Sequence, residues 1–442
     1  FDGARSWLLP GVIAGVMRLT SVVSTDPMLY VRATRTLCIV LSLSVVYVGY
    51  QLGLRLDSRR GAIVTGLICA IWFELIYFAP VVLSEVVATH CAIVAVWLGE
   101  TVGEDARRDK WRRVVAGGLF GLAMLLRMQY APALLAAALW QYRLDVRRWG
   151  WVALGGLVVA VPLGGVLDTL TWGMPFQSLW LNLARNSTQG LASSWSTQPW
   201  SYYLEFEWAT WQLAVPLAIV GVLGAWRAPA FALMALVVFV THSLVPHKEY
   251  RFIYLALAYA PIFVGLGITT VVRWIEQHRS ASVARAWLAA LLTFAAGASG
   301  YAGTHGILAA RFHWLRADVE VFLAAHGRSD LCGLGVKGLP KFATGGYTYL
   351  NRDVPLYLWD FTASETRPGS AVPLRLSVML HDQALTQYPG EAMARNTSRY
   401  NYLIAPSDNA EAGYAVTACF RNEYNPELPR DICLFHRPGG CD

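Results

Sequence analysis

Phe252–Val272 runs for 21 residues without a charged side chain. A helix of about 20 apolar residues crosses the hydrocarbon core of a bilayer, which is about 30 Å thick. Comparable apolar stretches recur near 36–54, 61–79, 83–99, 113–126, 129–142, 150–167, 212–226, 229–244, 252–273 and 284–302. A soluble domain rarely carries such runs, or a chain-wide balance of 55% hydrophobic to 15% charged residues. The pattern predicts a polytopic α-helical membrane protein of about ten spans, residues 1–302, followed by a different region from 303 to 442. Ser6–Leu19 is apolar but short and interrupted by Pro10, so it reads as an interfacial or partly inserted helix. The pair of runs around Arg127 is short for two spans; Arg127-Met128-Gln129-Tyr130 followed by Pro132 reads as a tight polar turn between them.

The loops predict an orientation. Arg55–Arg60, Glu104–Arg113, Tyr142–Arg148 and Arg273–Arg285 hold three, five, three and three basic residues, and ten spans place all four on one side. The positive-inside rule makes that side cytoplasmic. The net charge of +7 is scattered through these short loops, so it is no signal for nucleic acid. The opposite side receives Pro80–His90, the Arg127 turn, the aromatic loop 168–211, the stretch 247–252 and the whole tail. No signal peptide is read at the start, and the opening at Phe1-Asp2-Gly3 without a Met reads as a mid-loop start with a preceding piece expected.

From about Gly303 charges rise and turn residues multiply. Leu331–Val336, Val354–Trp359, Tyr400–Ile404, Tyr414–Phe420 and Ile432–His436 read as short strands and Arg311–His326 as a helix, giving a small extramembrane α/β domain. Cys332, Cys419, Cys433 and Cys441 lie in this tail and fit disulfides in an oxidising compartment, with the pairing open. Cys38, Cys69 and Cys91 lie in apolar runs as small buried residues. Their spacings form no zinc site, and no phosphate-loop, dinucleotide or hydrolase motif occurs. Thr344-Gly345-Gly346-Tyr347 reads as a turn, and Asn186-Ser187-Thr188 and Asn396-Thr397-Ser398 are formal glycosylation sequons.

The polar residues in apolar settings all fall on the outer side. Ser84-Glu85 follows Pro80-Val81-Val82-Leu83, Arg127 ends a span, Asp168 opens the aromatic loop, and His247-Lys248-Glu249-Tyr250-Arg251-Phe252 stands between two apolar runs. Arg127, Lys248 and Arg251 offer cations for a phosphate, Arg through a bidentate fork. Glu85 and Glu249 offer carboxylates for a hydroxyl proton, and His247 shapes the cluster. Trp172-Gly173-Met174-Pro175-Phe176 and Gln198-Pro199-Trp200-Ser201-Tyr202-Tyr203 add a ring platform in which Trp172, Trp200 and Tyr202 are binding candidates. Each has a plainer reading. Glu85 caps a helix, Arg127 snorkels, Asp168 is a loop acid, and the rings form an aromatic belt.

His247–Phe252 resembles the HKExRF signature of the GT-C membrane mannosyltransferases that use dolichyl-phosphate-mannose in GPI-anchor and N-glycan assembly, and of their bacterial relatives. Ala4-Arg5-Ser6-Trp7-Leu8-Leu9-Pro10 is similar to the family's RS-x-L-x-P segment, Leu83-Ser84-Glu85 to its LSE-like turn, and the two aromatic segments to the loop before the signature. Gly345-Gly346-Tyr347 through Arg352-Asp353-Val354-Pro355 is similar to bacterial members.

The resemblance implies inverting transfer of a sugar, mannose first, from a polyprenyl-phosphate donor to a lipid-linked or glycan acceptor on the outer or lumenal face, without a metal or other cofactor. It also implies a general base on an acidic motif that precedes RS-x-L-x-P. Only Phe1-Asp2-Gly3 stands there, so the catalytic acid is expected upstream of residue 1, with Glu85 and Glu249 as the acids within the chain. The Ala-, Gly-, Val- and Arg-rich composition points to a bacterial inner membrane before the endoplasmic reticulum. A polytopic lipid or glycan transporter and a glycan-binding membrane protein are the alternatives. A transporter would bring inverted repeats and charges near the midplane, and neither is evident.

Overall fold

The computed structural model describes residues 3–100, 106–188, 197–339, 345–359, 397–426 and 428–441. Glu104 and Asp105 of a basic loop, residues 189–196 of the aromatic loop, Thr344, and Asn396 of the second sequon lie outside these. The chain forms two compact units: Gly3–Val16 with Ala33–Ala309, and Met17–Arg32 with Ala310–Asp442.

The first unit is helical. Among the described residues five helices are long and apolar enough to cross a membrane: Pro27–Leu56, Val146–Trp172, Tyr202–Ala225, Tyr250–His278 and Ala281–His305. Shorter helices cover Leu8–Ser21, Arg59–Ile71, Phe73–Phe78, Ser84–Glu100, Ala106–Leu126, Ala131–Tyr142 and Pro229–Leu244. Tyr250–His278 is the hub: its side chains from Tyr254 to Ile275 are largely enclosed by the others.

Two helix pairs are drawn together by glycines. A Cβ on Gly117 would sit 2.0 Å from the Val152 carbonyl oxygen, and one on Gly224 1.9 Å from that of Phe263. Only glycine permits this approach, which gives close dispersion contact where lipid supplies no hydrophobic drive between helices.

Three breaks shape the end that carries residues 247–252. The run 61–79 is not one helix. It opens at Trp72 (φ −72°, ψ 122°), where Ser299 donates to the Ile71 carbonyl at 2.6 Å and accepts from Phe73 N–H at 2.9 Å. The freed backbone groups are thereby satisfied inside the bundle. At Arg127 the chain leaves its helix and makes one 3₁₀ turn, Met128–Tyr130, before Pro132 starts the next, as the polar-turn reading expects. At Val161–Val166 the helix widens into a π turn, because Pro162 brings no N–H, and Phe176 N–H binds the Gly164 carbonyl at 3.1 Å. That helix runs on to Trp172, so Asp168 lies inside it rather than opening the loop. The helix expected over 311–326 is likewise split, into Ile307–Phe312 and Arg316–His326.

The helices set two polar ends apart. Helix Ser84–Glu100 has Glu85 at one end and Glu100 at the other; Tyr250–His278 has Arg251 at one end and Arg273 and Glu276 at the other. Arg55 pairs with Glu100 at 3.4 Å, Arg60 with Glu276 at 2.6 Å, and Arg273 and Arg227 with Asp57. The basic segments near 55–60, 227 and 273–276 thus meet at the end away from Arg251.

The second unit holds five strands: β1 Leu334–Lys337, β2 Leu356–Trp359, β3 Tyr402–Pro406, β4 Ala415–Arg421 and β5 Asp431–His436. Each overlaps an expected strand. The order is β2-β1-β3-β5-β4, with β1 parallel to β2 and β3, and β5 antiparallel to β3 and β4. Helix Arg316–His326 covers one face through Ala317, Val321, Phe322 and Ala325. Cys419 and Cys433 are cross-strand partners joined by a disulfide, and Cys332 is joined to Cys441.

Candidate active site

Residues 247–252 alternate their side chains between two environments, and this alternation builds the site. Tyr250 turns inward and donates its hydroxyl to Glu74 Oε1. Trp72 Nε1 donates to Glu74 Oε2 at 2.9 Å and Trp211 Nε1 to Oε1 at 3.2 Å. The Tyr250 ring packs 4.4 Å from Phe206. The helix break at Trp72 is what aims Trp72 and Glu74 at this position.

Glu249 and Arg251 turn the other way. Arg251 reaches Glu249 Oε2 at 2.9 Å, and its Nε stands 3.6 Å from Glu85 Oε1. His247 Nε2 is 3.2 Å from Glu249 Oε1. Burial acts to raise the Glu249 carboxyl, but His247 and Arg251 outweigh it and hold it below the ordinary glutamate range.

Glu85, at the start of its helix, takes Arg127 at 3.2 Å on Oε1 and the Ser84 hydroxyl at 3.0 Å on Oε2. Both Glu85 and Arg127 are buried. The Arg127 guanidinium carbon also lies 4.6 Å over the Phe252 ring, with Arg251 at 5.6 Å from the same centroid. Phe252, the aromatic end of the stretch, is therefore shared by two cations.

Arg5 joins this group. Its guanidinium has its pKa lowered by burial and then by the like charge of Arg127, with Arg251, Glu85 and Glu249 also acting on it. Its backbone carbonyl accepts Trp172 Nε1 at 3.1 Å, and Trp7 and Trp172 lie 6.3 Å apart. Gln129 binds Asn182 at 3.1 Å, and Asn182 binds the Ala4 carbonyl at 3.3 Å.

Lys248 is placed differently from Arg127 and Arg251. Its ammonium is buried and donates to the Gln198 and Val245 carbonyls at 3.1 and 2.5 Å; burial lowers its pKa. Gln198 N–H binds the Pro246 carbonyl at 2.9 Å, and the Tyr203 hydroxyl binds that of Glu249 at 3.3 Å. Lys248 thus ties the aromatic segment 198–203 to the stretch 247–252. Tyr202 packs against Tyr203 and Phe206, while Trp200 is 69% exposed and stands off the cluster as an outward ring. Asp168 is buried and accepts from Ser178 N–H and Oγ at 2.9 and 2.6 Å, which fixes the turn between two helices.

The geometry therefore brings Glu85, Arg127, His247, Glu249 and Arg251 together, puts Trp172 at the border through Arg5, and leaves Lys248 and Asp168 as ties. Sequence reasoning passed over Arg5, although it sits in the quoted segment before Pro10, and over Glu74, a charge within an apolar run. Among the described residues no group of three His, Cys, Asp or Glu side chains is arranged to hold a metal.

The model of the Alg9-like mannosyltransferase family matches residues 1–321. No curated protein sequence matches the chain. Among solved structures, ArnT from Cupriavidus metallidurans bound to undecaprenyl phosphate is similar with a TM-score of 0.60 at 12% identity, over 100% of this chain and 89% of that one. The apo state of ArnT gives 0.54 at 12% identity, over 90% and 83%. At this identity the likeness is one of fold.

Proposed function

The chain belongs to the Alg9-like mannosyltransferase family, and on that premise we propose that it moves a hexose, mannose first, from a polyprenyl-phosphate donor to a lipid-linked or glycan acceptor at the outer or lumenal face of its membrane. Family membership makes it a glycosyltransferase, and together with its apolar helices a multi-pass integral membrane protein. The finer reading rests on Arg251. Its side chain is 38% exposed and that of its partner Glu249 is 39% exposed. An ion pair this open contributes about 0–1 kcal/mol. A phosphodiester offers a guanidinium two oxygens in the same forked geometry as a carboxylate. A donor phosphate can therefore displace Glu249 from Arg251 at small cost.

Arg127 plays another part. Its pair with Glu85 is buried, and breaking such a pair costs about 3–5 kcal/mol. It stays paired and adds a fixed positive field beside Arg251, with Arg5 as a third cation. Negative charge grows on the phosphate as its bond to the sugar breaks, and pre-placed cations stabilise that charge most. A single displacement inverts the anomeric centre. Glu249, once released from Arg251, is a carboxylate within the site that can take the acceptor's proton. Glu85, with both oxygens engaged, is a poorer base. The acidic segment that the family resemblance sets before Arg5 is the competing candidate. The bacterial inner membrane remains the first compartment to examine.

The test is transfer from radiolabelled polyprenyl-phosphate-mannose by the full-length gene product in membranes, beside Arg251→Ala. Label should move to a lipid or glycan acceptor and fall by about a hundredfold or more in the variant. No transfer by folded wild type across such acceptors, or unchanged transfer in Arg251→Ala, would sink the reading.

A further inference from the structure

Arg127, Tyr130, His242 and Phe252 meet beneath the charge cluster. The Tyr130 and His242 rings are 6.1 Å apart, and His242 and Phe252 are 6.4 Å apart, with Arg127 over Phe252 at 4.6 Å. Tyr130 is 0% exposed, and Arg127 and His242 are each 6% exposed. Two of their polar atoms are enclosed without a hydrogen-bond partner, Arg127 Nε and His242 Nε2; the Tyr130 hydroxyl interacts with Thr89 and the Leu255 backbone.

The chemistry of these atoms is fixed by their surroundings. His242 Nδ1 lies 2.9 Å from the Val238 carbonyl, which can only accept, so Nδ1 carries the proton. Nε2 of the neutral ring is then a bare acceptor. Arg127 Nε is a donor, and the Tyr130 hydroxyl is both. Buried polar groups are almost always satisfied, and a donor and an acceptor left unpartnered beside the same Phe252 ring point to a shared partner. An anion would suit Arg127 but set a lone pair against His242 Nε2. An ammonium would suit His242 but be repelled by Arg127. A neutral group that both donates and accepts suits both, and a hydroxyl is such a group.

We infer that Tyr130 and His242, with Arg127, form a subsite that receives one hydroxyl of the donor sugar and so selects which hexose is transferred. The inference rests on the donor reading proposed above. It gains support from position. Arg127 is joined through Glu85 to Arg251, so the subsite begins one shared carboxylate away from the phosphate grip. The sugar is bonded to that phosphate and has to extend from it. A buried water offers the same O–H chemistry, and the experiment separates the two sources.

Polyprenyl-phosphate-mannose and analogues lacking one hydroxyl at a time would be assayed with full-length wild type, Tyr130→Phe and His242→Leu, with thermal melting as the check on folding. Wild type should penalise one deoxy position by roughly tenfold or more, since the site's buried groups then go unpaired. Both variants should lose most of that penalty and keep the others. Tyr130→Phe removes one oxygen atom, so it keeps the test decisive if His242→Leu fails to fold. Transfer by wild type with every penalty unchanged in the folded variants means the groups hold a structural water, and overturns the subsite alone. No transfer from any donor by folded wild type overturns the subsite together with the donor reading.

Discussion

The two polar ends of the helical unit are built from the same residue types and differ in how they close. At the basic end Arg60 meets Glu276 through two bonds of 2.6 and 2.8 Å, and Arg227 adds the Leu56 carbonyl and two threonine hydroxyls to its contact with Asp57. At the other end Glu85 is divided between Arg127 and Arg251, Glu249 between Arg251 and His247, and Arg127 Nε and Arg251 Nε form no hydrogen bond. The first arrangement fastens helices. The second leaves guanidinium N–H groups unpaired, which is what an anionic ligand needs. Counting charges would not have separated these ends; the sharing and orphaning of their atoms does.

The sharpest way to break this contrast is Glu85→Ala. It removes the carboxylate from a buried Arg127 and should cost about 3–5 kcal/mol of stability together with transfer. Melting temperature in detergent and the transfer assay check both. A change below about 1 kcal/mol would mean that Arg127 finds water, and that the buried half of the site is looser than its distances imply. Lys248→Met comes next. It keeps the stem and removes the ties to Gln198 and Val245, leaving two carbonyls to be satisfied. A loss of about 1–3 kcal/mol is expected, with the apparent donor KM raised more than kcat falls, because the aromatic segment 198–203 is released. A kcat collapse at unchanged KM would instead put Lys248 in contact with the transition state.

The division of labour within residues 247–252 shows what the sequence could disclose. Residue types and their common sidedness were enough to gather Glu85, Arg127, His247, Glu249 and Arg251. The turn at Arg127 was legible because Pro132 follows it, and the strands of the second unit because turn residues bracket them. The tie made by Lys248 was not legible because charge alone does not say where a side chain points; its partner Gln198 comes from another segment, while Val245 stands three residues before it. The break at Trp72 carries no glycine or proline and depends on Ser299, 227 positions away from Trp72, so the run 61–79 looked continuous. Asp168 looked like a loop acid because the helix runs on through the π turn at Pro162 to Trp172, and the Phe176 contact with Gly164 is not visible in the sequence. Tyr130 and His242 gave no signal, since their ring contact exists only once the helices have met.

Glu249 sharpens the comparison through pH. Its carboxyl is held below the ordinary range by His247 and Arg251, against burial. The stabilisation is therefore complete above the unfolded glutamate pKa and is lost as pH falls through the lowered folded value. The side chain is partly exposed, so the effect should stay below about 1 kcal/mol. Melting curves of wild type and Glu249→Gln should converge on acidification and separate toward neutrality. Curves that separate in acid instead would place the Glu249 pKa above its reference and remove it as a neutral-pH base.

The smallest effect belongs to the basic end. Arg60 and Glu276 form a bidentate pair, but their side chains are 44% and 31% exposed. Solvent screens such a pair, and losing it should cost about 0.5 kcal/mol. Arg60→Ala should therefore transfer sugar at the wild-type rate and melt almost with wild type. The informative comparison is with Arg251→Ala, whose ion pair is of similar exposure and whose stability cost should be equally small. If both variants are stable and only Arg251→Ala is inactive, two guanidiniums of equal structural worth differ solely in what they face. If Arg60→Ala also abolishes transfer, the activity depends on a motion that both ends share, and the open pairing around Arg251 is not by itself the mark of the ligand site.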